Sequence, residues 1–274
     1  MQKTSTKNHN FITTNSAIEF VQWSAPSTFF DKNKAEQVLA MQTTRIAPDN
    51  VCYSDDTSSP YQAFNLGLHV GDCPVQVEHN RQYLQQTLPN NAKIQWLDQV
   101  HGNTVATIDH VSNKAIIADA AITRKKNTCL AIMTADCLPI LLVSKKGDEI
   151  AAIHGGWRPL AANIITNTLN KMQTSNADIC AWLGPCISKN IFEVGDEVKE
   201  TFVKQDDCFK QAFTQKIQGK SFADLHNIAR LQLYNAGISD ISSLPECTYS
   251  NPHKYYSYRK NAITGRMATL ICLV

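Results

Sequence analysis

Three nearly uninterrupted apolar runs stand almost back to back in the middle of the chain, and they constrain its fold more than any other feature. Thr128 to Met133, Leu138 to Ser144 and Glu149 to His154 are rich in Leu, Ile, Val and Ala. A strand with one wet face alternates polar and apolar residues, whereas a short apolar run suits a strand buried within the protein. Around them the pattern is more mixed. Ile94 to Val100 alternates (IQWLDQV) as a half-buried strand does, and Asn103 to Ile108, after a turn at Gly102, is expected to pair with it as a hairpin. Ala17 to Ser24, Ile179 to Leu183 and a closing segment Met267 to Val274 also read as strands.

Helical spacing appears elsewhere. Val77 to Gln86 forms one candidate. A second starts at Pro159, whose missing N–H costs nothing in a first helical turn, and carries Leu160, Ile164, Ile165, Leu169 and Met172 on one face. Val194 to Phe202 is a third, and Asp224 to Asn235 a fourth, N-capped by Asp224 and stopped at Gly237. Residues 47–60 form a polar, turn-rich loop. Strands cluster between helices instead of alternating strictly with them. The expected class is therefore α+β, a single domain of mixed β-sheets flanked by helices over residues 16–274, after a loose tail of residues 1–15.

Composition narrows the function. The balance of 26 Lys+Arg against 24 Asp+Glu gives a net charge of +2, which points to no nucleic-acid or membrane-surface partner. The longest strongly apolar stretch, Leu138 to Val143, is interrupted by Pro139 and falls far short of the ~20 residues that cross a bilayer. The polar start of the chain has no apolar signal core, and nine cysteines lie without CxxC pairing, so a reduced, cytoplasmic protein is expected.

His101, Cys137 and His154 each end a strand-like run, where neighbouring strands gather side chains at one sheet edge. Two imidazoles and a thiolate there can hold zinc and leave a fourth position open; copper suits the same donors. The separations of 36 and 17 residues match no compact metal motif. A Cys–His nucleophilic pair and plain buried histidines therefore stay open as readings. Asp136, beside Cys137, is expected either to orient one of the histidines or to serve as a turn residue.

FNLGLHVGD (64–72), HNR (79–81), QVHGNTV (99–105), TADCLPILL (134–142), AAIHGGWR (151–158), LGPCI (183–187) and YYSYRKNAITGRMA (255–268) occur in this order. Together they resemble the laccase-domain family, also called multicopper polyphenol oxidase-like. Its members are largely described as purine nucleoside phosphorylases, and some bacterial ones are discussed as peptidoglycan editing factors. Cys73 and Pro159 depart from the residues common at those positions.

The resemblance implies a catalytic metal site at His101, Cys137 and His154, with zinc as the expected ion and copper as the alternative. It implies a purine nucleoside (adenosine, inosine or methylthioadenosine) and phosphate as small-molecule partners, with adenosine deamination as a further activity. For such chemistry Arg158, beside a helix N-terminus, is a candidate phosphate ligand. Arg259 and Arg266 are others, and Tyr255, Tyr256 and Tyr258 are candidates for stacking on the base. Competing readings are a cysteine hydrolase using Cys137 on a cell-wall precursor amide, a copper-dependent polyphenol oxidase, and a binding module with a structural ion. The zinc deaminase signature, H-x-E with P-C-x-x-C, is absent.

Overall fold

The apolar runs become strands buried at every residue: Thr128–Thr134, Leu138–Ser144 and Ile150–Gly155. The computed structural model describes residues 16–21, 23, 38–49, 59–217 and 219–274, so the expected tail, the end of the first strand and most of the 47–60 loop lie outside the described residues. A five-stranded sheet has the order Ile18–Phe20, Val38–Thr43, Met267–Leu273, Thr128–Thr134, Lys93–Gln95. A six-stranded sheet has the order Asp240–Ser243, Ile179–Leu183, Leu138–Ser144, Ile150–Gly155, Ala120–Thr123, Val105–Thr107.

Side chains alternate across each strand, and this explains why both kinds of position are apolar. Leu130 and Ile132 of the first sheet meet Leu141, Val143, Ile150 and Ala152 of the second in one shared core. Their neighbours Cys129 and Ala131 face outward, under the Leu84 side of the Pro74–Gln86 helix. Ile140, Leu142, Ala151 and Ile153 face the opposite way, packed by Leu160, Ile164, Leu169, Ile228 and Leu233 from the helical segments that follow. The layers thus run helix, sheet, sheet, helix, and both sheets mix parallel with antiparallel pairs. This is the α+β class expected from the sequence. No helix among the described residues is long and apolar enough to cross a membrane.

Four expectations need correction. The strand expected over Ile94 to Val100 breaks at Trp96: Lys93–Gln95 pairs with Thr128–Thr134, while Leu97–Asp98 pairs with Ile116–Ile117. The expected hairpin does not form, because Val105–Thr107 runs parallel to Ala120–Thr123 in the other sheet. The helix after Pro159 is two short ones, Trp157–Ala161 and Ile164–Leu169, separated where Asn163 adopts φ 61. The expected third helix begins as a strand, Glu193–Gly195, and turns helical only over Asp196–Val203, with Asp196 and Glu197 placed to complement the helix dipole. Asp224 caps Leu225–Asn235 through the Asn227 N–H, and Gly237 at φ 88 ends that helix, both as the sequence reads.

A candidate metal centre at the crossing between the sheets

The chain passes from one sheet to the other through Ala135, Asp136 and Cys137, a turn in which Asp136 holds φ 98. Antiparallel pairing then sets His154 opposite Pro139 and Gly155 opposite Leu138, so His154 arrives beside Cys137. His101 comes from the loop after Leu97–Asp98 with φ 58. Gln99 fixes this loop: its side-chain amide donates to the Met133 carbonyl at 2.9 Å and accepts from the Met133 N–H at 2.8 Å.

The three ligand atoms all lie within 4.8 Å of one another. Cys137 Sγ sits 4.0 Å from His101 Nε2, and the two imidazole rings meet edge to face with centroids 4.6 Å apart. Gly156 keeps the space open, since a Cβ there would lie 3.1 Å from Cys137 Sγ. Asp119 organises the cluster from behind. Its Oδ1 accepts from His154 Nδ1 at 2.8 Å and from the His101 N–H at 3.0 Å, and its Oδ2 accepts from the Gly102 N–H. With Nδ1 engaged, His154 presents Nε2 to the cluster, the usual arrangement for a metal-ligating histidine.

Burial pushes the Cys137 thiol up, but His154 and His101 outweigh it and bring the group to about 6. Burial likewise pushes His154 down, and the Cys137 charge and the Asp119 carboxylate outweigh it, lifting it to about 9. A ready thiolate, two imidazoles and no fourth protein ligand among the described residues suit a tetrahedral ion with one open position. Three cysteines away from the cluster behave differently: burial raises Cys129, Cys180 and Cys186.

A cleft of about 510 Å³ opens over the cluster. Arg158, Tyr258, Arg259 and Arg266 all line it, together with His69 and Trp157. Arg158 lies over the Trp157 ring at 4.4 Å, on a helix only five residues long, so its own charge matters more than a helix dipole. Tyr258 is exposed at the rim, 5.9 Å from the Arg266 guanidinium carbon.

Tyr255 and Tyr256 are not available for stacking. Both are fully buried, with hydroxyls donating to Glu246 and to the Tyr61 carbonyl. Asp136 does not orient a histidine either, because its two oxygens accept from Thr248 Oγ1 and from the Arg259 N–H. The histidine-orienting residue is Asp119, which sequence reading missed. Asn65 and Asn80 prove architectural: Asn65 Oδ1 accepts from the Gly67 and Arg266 N–H groups, and Asn80 donates to the Asn65 carbonyl.

Comparison with known proteins places this geometry among relatives. The model of the multi-copper polyphenol oxidoreductase laccase family matches residues 53–274. The purine nucleoside phosphorylase YfiH of Escherichia coli (strain K12) is 40% identical over 215 residues, covering 78% of this chain and 88% of that protein. A purine nucleoside phosphorylase of Pseudomonas aeruginosa is 38% identical over 218 residues, covering 79% and 88%. The crystal structure of the Neisseria meningitidis protein NMB0706 superimposes with a TM-score of 0.84 at 34% identity, covering 94% of this chain and 99% of that one. The YlmD structure from Geobacillus stearothermophilus shares the fold, with a TM-score of 0.77 at 24% identity and coverage of 93% and 98%. With the match spanning His101, Cys137 and His154 and the cleft above them, this chain belongs to the multi-copper polyphenol oxidoreductase laccase family.

Proposed function

We propose that this protein is a zinc-dependent purine nucleoside phosphorylase acting on adenosine, inosine and methylthioadenosine. The observation that carries the reading is the meeting of His101, Cys137 and His154 with Arg158, Arg259, Arg266 and Tyr258 in one cleft. Relatives 40% identical over 215 residues carry the phosphorylase name. In phosphorolysis a phosphate oxygen bonds to the ribose C1′ while the bond to the purine nitrogen breaks, and the purine leaves with a proton. The bound ion would supply Lewis acidity, held by His101, Cys137 and His154.

The remaining residues serve binding and orientation. Arg158, Arg259 and Arg266 have no carboxylate partner among the described ion pairs. They are the groups that hold phosphate beside the sugar. The exposed Tyr258 ring stacks on the base.

Zinc-loaded protein incubated with adenosine, with and without phosphate, tests this by chromatography of the products. Adenine and ribose 1-phosphate forming only with phosphate support it. Inosine formed independently of phosphate would replace it with deamination, and no product from either would end the nucleoside reading.

One geometric feature favours a second reading. Cys137, His154 and Asp119 follow one another as nucleophile, base and orienting carboxylate, the order of a cysteine hydrolase. On that reading zinc inhibits, so amide cleavage that rises on chelation would favour it. Copper fits the same donors. A multicopper oxidase needs further copper sites, and no second His/Cys cluster occurs among the described residues.

A further inference from the structure

We infer that Asp136 is a positioning residue that ties the substrate-binding arm, residues 255–266, to the metal cluster. Four separate segments meet at it. Its backbone leads directly into Cys137. Its carbonyl accepts from the Ile187 N–H at 2.9 Å, Oδ1 accepts from Thr248 Oγ1 at 2.6 Å, and Oδ2 accepts from the Arg259 N–H at 2.7 Å. The carboxylate is buried, 8% exposed, and both oxygens are committed to donors of this chain.

The backbone adds an independent argument. At φ 98 Asp136 occupies a conformation that L side chains rarely adopt and that glycine takes freely. Strain kept at a functional site points to a job that the favoured residue cannot do. Glycine at this position would relax the turn but supply no acceptor for Thr248 or Arg259. The carboxylate supplies both, and it does so one residue from a metal-ligating thiol.

The consequence concerns Tyr258 and Arg259. Arg259 sends Nη1 to the Glu193 carbonyl at 3.1 Å and lies against the Phe192 ring, so its side chain has only weak anchors of its own. Its backbone N–H on Asp136 sets where the arm stands over the cleft. Loss of that bond lets Tyr258 and Arg259 swing away while His101 and His154, held by Asp119, stay in place.

The kinetic part rests on the phosphorolysis reading, so the test pairs it with a measurement independent of turnover. Asp136→Ala is expected to keep its zinc stoichiometry, raise amide hydrogen exchange across 257–261, and raise the KM for phosphate and adenosine about 10–100-fold, with a smaller effect on kcat. Asp136→Asn should recover much of this. Its amide oxygen still accepts from Arg259, and its NH₂ donates to a Thr248 hydroxyl that turns to accept. Thr248→Val, which removes one donor only, provides a milder variant should Asp136→Ala fold poorly.

A double-mutant cycle separates positioning from mere stability. In an Arg259→Ala background, Asp136→Ala should change the phosphate KM far less, because the guanidinium it places is already gone. Full additivity, unchanged exchange at 257–261, or loss of zinc as the main effect would each overturn the inference. If the wild-type protein turns over no nucleoside, phosphorolysis fails, and the exchange measurement still decides the role of Asp136.

Discussion

Replacing Asp119 by Ala should loosen the metal and the fold together. The carboxylate accepts three hydrogen bonds, from His154 Nδ1 and from the backbone N–H groups of His101 and Gly102. It therefore orients one ligand through its ring and another through its main chain, and Asp119 itself is fully buried. Loss of a partner of this kind typically costs 10–100-fold in metal affinity, about 1.4–2.8 kcal/mol. Three donors left without an acceptor cost about 1 kcal/mol each at the low end, so the metal-free protein should lose about 3 kcal/mol of stability. Competition with a chromophoric zinc chelator reads the affinity, and urea unfolding of the metal-free protein reads the stability. Zinc affinity within twofold of wild type would refute the claim that Asp119 organises the site.

Zinc binding at pH 7 should release about one proton, because the metal-free site holds a Cys137 thiolate, titrating at about 6, beside a His154 imidazolium, titrating at about 9. Calorimetry in buffers of different ionisation enthalpy counts it, and a count near zero or two would contradict the charge assignment. Affinity should fall further as pH drops below 6 and the thiolate takes up a proton. The two adjacent glycines should separate by effect. Gly155→Ala puts a Cβ 2.6 Å from the Leu138 carbonyl and should cost about 1–3 kcal/mol of stability. Gly156→Ala crowds Cys137 Sγ at 3.1 Å and should weaken zinc binding more than folding. Tyr256→Phe should cost about 1 kcal/mol of stability without changing the nucleoside KM, while Tyr258→Ala should do the reverse; chemical denaturation and steady-state kinetics decide between them.

Much of this fold was legible because its central strands are buried on both faces. An unbroken run such as Leu138 to Ser144 then carries the signal without help from its neighbours. Caps were legible for the same local reason, since Asp224 and Gly237 act within a few residues of themselves. Pairing was not. Val105–Thr107 joins Ala120–Thr123, beyond the short Ile116–Ile117 strand, instead of the strand just before it, and nothing local marks that choice. Val38–Thr43 escaped notice because Gln42 and Thr43, buried and bonded to the last strand, look like surface residues in sequence.

The site shows the same division. His101, Cys137 and His154 stand out in sequence at the ends of strand-like runs; sheet pairing brings His154 beside Cys137, while a loop braced by Gln99 and Asp119 delivers His101. Asp119 could not be found that way, for its partners are 18 and 35 residues distant and it sits among alanines. Asp136, adjacent to Cys137, read either as an orienting residue or as a turn residue, and it is the turn residue. Its φ of 98 turns the carboxylate toward Thr248 and Arg259 instead.

The most direct test of the central claim is to titrate metal-free protein with zinc and follow phosphate-dependent release of adenine from adenosine. Turnover should rise in proportion to bound zinc, level off at about one ion per chain, and be abolished in Cys137→Ala. Equal turnover in chelated protein, or adenine release indifferent to phosphate, would contradict it.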